Sequence, residues 1–167
     1  MQPLLGLPRA IGVAALAGIV MSLAFAPVAF GAYAVVGVAL LTVAVWGGSV
    51  RRGAGLGLLA GVLFFGLLLG WMRVIGWDAW LLLTVFWALW FALVGLGTAL
   101  VTRLPAAPIW VASLWVLQEA LRARIPFGGF PWGDLAFAQP DTPFARLAPL
   151  GGGPLVTFGG ACVGAAI

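Results

Sequence analysis

The chain has 167 residues, 64% of them hydrophobic and 7% charged, with a mean hydropathy of +1.20. A soluble domain carries roughly 25% charged residues, so a fold that covers itself in water is excluded. The net charge of +4 comes from eight arginines and four acids, without lysine or histidine. These arginines are scattered rather than striped, which gives no nucleic-acid footprint and leaves membrane topology and lipid headgroups as their use.

The predicted fold class is an all-α integral membrane protein, a polytopic bundle of five to six transmembrane helices with an interfacial loop before the last. The first apolar run covers 10–26. Arg9 ahead of it and Ala24-Phe25-Ala26 at its end have the outline of a signal peptide. Pro27 would then follow the cut, where it is poorly tolerated, and the chain stays apolar beyond it. A retained first span is the reading.

A second span is predicted at 28–48, followed by Arg51-Arg52, and a third at 54–72. The third repeats Gly53, Gly57 and Gly61, then Gly66 and Gly70, a spacing that lets helix backbones approach closely in lipid. A polar link from Arg73 to Asp78 leads to a fourth span at 79–101, and a fifth covers 107–124. Four prolines between 125 and 146 predict a loop in which no helix survives. A sixth span is expected at 147–167. Runs of this length fit a hydrocarbon core of about 30 Å.

Arg9 and Arg51-Arg52 flank a first hairpin whose tip is uncharged, which places the N-terminus in the cytoplasm and 125–146 outside. Arg73, Arg122, Arg124 and Arg146 then also fall outside, together with or near all four acids. Trp71, Trp77, Trp80 and Trp132 fall near the outer interface, and Trp46 and Trp110 near the inner one, as an aromatic belt requires. Trp87 and Trp90 lie deeper, where packing and contact with an acyl chain are both open readings. Cys162 is read as a small packing residue: no neighbouring base would make its thiolate. No metal-binding or cofactor motif is found.

The densest chemistry lies between Trp115 and Gln139, WVLQEALRARIPFGGFPWGDLAFAQ. Trp115, Glu119 and Arg122 stand at i, i+4 and i+7 and share one helix face. A carboxylate this close to the end of a span needs a partner, and Arg122 is the obvious one. The pair either fixes the depth of the helix or orients the adjoining loop or a lipid headgroup. Next come two glycines and a proline in Phe127-Gly128-Gly129-Phe130-Pro131-Trp132, which aim the aromatics rather than leave them free.

The order Trp115-x-x-x-Glu119-x-x-Arg122, Gly129-Phe130-Pro131-Trp132 and Phe137-Ala138-Gln139 resembles the bacterial apolipoprotein N-acyltransferase family. Phe25-Ala26-Pro27, Arg51-Arg52 and the Gly/Phe run ending at Trp71 agree with it. The sequence departs from the family at Gly128, where a threonine is frequent, and at 136–138. The resemblance implies an enzyme of the bacterial plasma (inner) membrane that passes a fatty acyl chain from a phospholipid donor to a diacylglyceryl-modified apolipoprotein. It also implies a thioester on the cysteine of a nitrilase-like domain with a Glu-Lys-Cys triad. With no lysine and Cys162 within the sixth span, no catalytic residue is expected in this chain. The nitrilase-like domain is expected downstream, and these residues alone are expected to be inactive. Within the resemblance, Gly129, Phe130, Pro131 and Trp132 form the lipid-facing loop, supported by Trp115, Glu119, Arg122 and Gln139. Two other readings remain: a membrane anchor fused to a polyprenol-phosphate mannosyltransferase, and a small transporter subunit. The latter would need broken helices in repeated halves, and no repeat is found.

Overall fold

The computed structural model describes residues 2–126 and 128–167. Phe127, named in the loop above, lies outside them. The described residues form six α-helices and three short 3-10 turns, with no strand. The helices are α1 (Leu7–Ser22), α2 (Ala32–Val45), α3 (Val50–Leu68), α4 (Trp77–Val101), α5 (Ala107–Arg122) and α6 (Ala148–Ala166). The fold is a helical membrane bundle. Three apolar segments are long enough to cross a bilayer: Val50–Leu68, Trp77–Val101 and Pro143–Ala166. Leu7–Ser22 and Ala32–Val45 are apolar but shorter.

Local sequence explains where the helices start and stop. Pro8 occupies the first turn of α1, where its missing N–H costs nothing. The Ser49 hydroxyl caps α3 by accepting the Arg52 N–H at 3.3 Å. Helix α2 begins only at Ala32, because Pro27 and the left-handed Ala29 (φ 53°) precede it. Asp78 belongs to the first turn of α4 rather than to a link, where a carboxylate complements the helix dipole. The described residues of the proline-rich loop hold no α-helix, as its composition predicted, but they do include helical turns. Leu135–Ala138 and Pro143–Leu147 are 3-10 turns. Such turns need only i to i+3 bonds and tolerate a proline at their start. Helix α6 is kinked: Gly151 and Gly152 are non-helical and Pro154 lies inside it.

Packing follows the small residues. Ala10, Ala14, Ala17 and Met21 line the buried face of α1. Helices α3 and α4 meet along Gly53, Gly57 and Gly61, and a Cβ at Gly57 would strike the carbonyl of Phe91. Close backbone approach supplies the dispersion that replaces hydrophobic attraction in lipid. Phe64, Phe65 and Phe91 form an aromatic centre with ring centroids 4.8–5.3 Å apart.

Successive helices alternate in direction, so the links gather at two ends. At one end the Leu4 N–H donates to Trp46 O (3.3 Å) and Arg103 donates to Gly48 O (3.3 Å). This end holds Arg9, Arg51, Arg52 and Arg103 and no acid. The other end holds the remaining four arginines and all four acids, so the net charge of +4 belongs to the first end.

Candidate functional site: a braced loop over an apolar cleft

The last two turns of α5 build the site. Trp115, Glu119 and Arg122 are 1%, 7% and 0% exposed, so the shared face is turned wholly into the protein. The partner expected for Arg122 from the sequence, Glu119, is not the one it takes. Arg122 pairs with Asp134 and donates to the carbonyls of Phe130 (3.3 Å) and Trp132. The Phe130 N–H in turn donates to Arg122 O at 2.9 Å. The guanidinium also lies over the Phe65 ring, 5.4 Å from its centroid. One planar fork of donors thus holds the loop at Phe130, Trp132 and Asp134, a task that suits arginine and not lysine.

Glu119 serves a different part of the loop. Its carboxylate accepts the Leu135 N–H at 2.7 Å and the Thr157 hydroxyl at 2.7 Å. Thr157 Oγ1 accepts the Ala136 N–H at 3.1 Å. A buried carboxylate needs such donors, and the chain behind Asp134 brings them closer than Arg122. Gln139 is buried too: its amide donates to Gly31 O at 3.2 Å, and its Oε1 accepts the Thr142 hydroxyl at 2.8 Å. Trp115 packs edge-on against Phe91 at 5.1 Å.

Asp134 lies in the loop between α5 and α6. Burial pushes its carboxyl up to about 6, and the Arg122 guanidinium pulls against that rise without cancelling it.

Within Gly129-Phe130-Pro131-Trp132 the residues divide. Gly129 has φ +79°, and a Cβ there would strike the carbonyl of Ala123, so the turn depends on glycine. Phe130 stacks on Trp87 (5.6 Å) and on Trp132 (5.9 Å), and lies behind the cleft rather than in its wall. Trp87 is 3% exposed, which settles it as a packing residue. Pro131 and Trp132 line an apolar cleft of about 530 Å³ with Phe25, Leu68, Trp71 and Phe137. Trp132 and Trp71, each half exposed, stand 6.0 Å apart at its edge. Cys162 packs against the core on α6, more than a turn beyond Thr157.

Sequence patterns did not single out Asp134 or Thr157. An acid two positions past the loop tryptophan was a usable signal for the first. No local signal marked the second, which lies 38 residues from Glu119 in the chain.

The apolipoprotein N-acyltransferase N-terminal domain matches residues 17–166. An apolipoprotein N-acyltransferase of Mycolicibacterium smegmatis is 38% identical over 150 residues, 88% of this chain and 25% of the relative. Proteins of the same name from Pseudomonas putida and Haemophilus ducreyi match shorter stretches. They are 51% identical over 47 residues (28% of this chain, 9% of the relative) and 44% over 52 residues (31% and 10%). The chain thus spans at most about a quarter of the length of these relatives. With nearly its whole length matched, the chain belongs to the family of apolipoprotein N-acyltransferase N-terminal domains.

Proposed function

We propose that the chain is the membrane portion of an apolipoprotein N-acyltransferase, which moves a fatty acyl chain from a phospholipid to the amine of a lipoprotein's N-terminal diacylglyceryl-cysteine. Its partners are the phospholipid donor, the modified apolipoprotein and the bilayer, with no nucleic acid and no cofactor. In this reading the six helices span the bacterial inner membrane at about 10–26, 28–48, 54–72, 79–101, 107–124 and 147–167. The N-terminus is cytoplasmic and residues 125–146 are extracytoplasmic.

The apolar cleft under Trp132 carries the reading. An acyl chain needs a wall without polar groups, and Phe25, Leu68, Trp71, Pro131 and Trp132 provide one at the end of the bundle. Arg122 holds the loop from below, and Glu119 fixes the turn after it, so the aromatic edge is set before a lipid arrives. The acyl carbon leaves a glycerol ester oxygen for a thiol and then passes from sulfur to the acceptor nitrogen. Those covalent steps are assigned to a nitrilase-like domain with its own Glu, Lys and Cys, and no residue of this chain is assigned as catalytic. The test is Trp132→Ala in the complete enzyme. Acylation of a diacylglyceryl lipopeptide should fall by more than membrane expression does; equal loss of both would make the tryptophan a folding residue only.

A further inference from the structure

A second groove, of about 570 Å³, lies at the opposite end of the bundle from the Trp132 cleft, between α1 and α3. Leu7 and Ile11 of α1 and Leu56 and Leu59 of α3 wall it, and Arg51 and Arg52 stand at its mouth. Arg52, Leu56 and Leu59 follow at i, i+4 and i+7, so one face of α3 runs from charge to an apolar floor, with Leu56 buried and Leu59 partly exposed. From Arg52 to Leu59 that face is about 10 Å long. Leu7 and Ile11 are 53% and 45% exposed, and a Cβ at Gly55, also in the groove, would meet nothing within 4 Å.

The charge at the mouth is fixed and uncompensated. Arg52 donates to Leu5 O at 2.6 Å, which holds its guanidinium beside α1, and Arg51 is exposed. Among the described residues the ion pair is Arg122 with Asp134, at the far end, and no acid lies at this one. The N-terminus of α3 adds its own positive potential. A groove that is cationic at the headgroup level and apolar along its length complements an anionic amphiphile.

We propose that this groove binds an anionic phospholipid, with its phosphate on Arg51 and Arg52 and one acyl chain along Leu7, Ile11, Leu56 and Leu59. A zwitterionic lipid offers the same phosphate, but its ammonium offsets the attraction. The site is separate from the Trp132 cleft and does not depend on what that cleft accepts.

The test offers the purified chain, in neutral detergent, an equimolar mixture of dioleoyl phosphatidylglycerol and dioleoyl phosphatidylcholine. Native mass spectrometry then reads the lipid retained. Phosphatidylglycerol should be retained in preference, and Arg51→Gln should weaken it about fivefold. Arg52→Gln should weaken it further, but it also removes the bond to Leu5, so the exposed Arg51 is the cleaner probe. Gly55→Phe fills the groove without altering charge and should abolish retention. Arg103→Gln removes the same unit of charge from the same end, outside the groove, and should leave retention unchanged. Equal losses from Arg51→Gln and Arg103→Gln would mean diffuse attraction and overturn the site. So would phosphatidylglycerol bound to Gly55→Phe, or its displacement by inorganic phosphate, which would mark a free-anion site.

Discussion

Arg122 and Asp134 are joined across the turn that leaves α5, and the arginine is fully buried while the aspartate keeps 15% of its side chain exposed. A guanidinium taken out of water needs partners, and here a carboxylate, two carbonyls and an aromatic face meet its two NH₂ groups and its plane, while its Nε has no hydrogen-bond partner among the described residues. The loop's path is therefore the price of burying that charge, and the charge is what holds the path.

Removing one partner should cost far more than removing both. Arg122→Met should destabilise the bundle by about 3–5 kcal/mol, because Asp134 and the carbonyls of Phe130 and Trp132 lose their donor. Adding Asp134→Asn should recover part of that loss, since no uncompensated charge is left. Thermal unfolding in detergent measures both. A double variant as unstable as the sum of the singles would show that the carbonyl bonds, not the ion pair, dominate.

Asp134 also predicts a pH dependence. Its carboxyl lies at about 6 in the folded protein against an ordinary value of 3.8. A folded value above the unfolded one means that protonation favours the fold. This stability is fully present below about 3.8 and is lost as pH rises through about 6. Melting temperature should therefore fall between about pH 4 and about pH 6, and Asp134→Asn should flatten the slope. An unchanged slope in Asp134→Asn would assign the titration to another group.

Glu119 and Thr157 should behave as one unit. Thr157→Val removes the hydroxyl that donates to Glu119 and accepts from Ala136. Glu119→Gln keeps an acceptor for one donor but turns an amide NH₂ toward the rest of the site. Each single change should cost about 1–3 kcal/mol, the range for a buried polar group left unsatisfied. In a double-mutant cycle their coupling should reach at least about 0.5 kcal/mol. Additive losses would mean that the 135–138 turn is held without the carboxylate.

Features that depend on helix period alone were legible in the sequence. Trp115, Glu119 and Arg122 had to share a face, and Gly53, Gly57 and Gly61 had to offer a close approach. The choice of partner was not legible. Whether Arg122 takes Glu119 or Asp134 depends on the path of the loop, which turns through positive φ at Gly128, Gly129 and Gly133. Phe130 and Trp132 look equivalent in sequence, yet one stacks on Trp87 behind the loop and the other edges the cleft. The second groove joins residues of α1 and α3 that no local pattern links. Arg51-Arg52 was visible as a topology signal and as part of the family resemblance, not as the mouth of a groove.

The proposed orientation can be tested directly at the cleft. Trp132 is half exposed, so a cysteine there should react with a maleimide. In a Cys162→Ser background, Trp132→Cys should be labelled by a membrane-impermeant maleimide in intact spheroplasts. Leu104→Cys, 48% exposed at the opposite end, should label only after the membrane is opened. The three arginines flanking an uncharged first hairpin tip predict this side, while the equal number of arginines at the two ends leaves the charge rule without a second vote. Inverse labelling would turn the cleft to the cytoplasm. Trp71 and Trp132 would then line a site on the wrong face for a diacylglyceryl-modified acceptor, and the acyl-transfer reading would fall with the orientation.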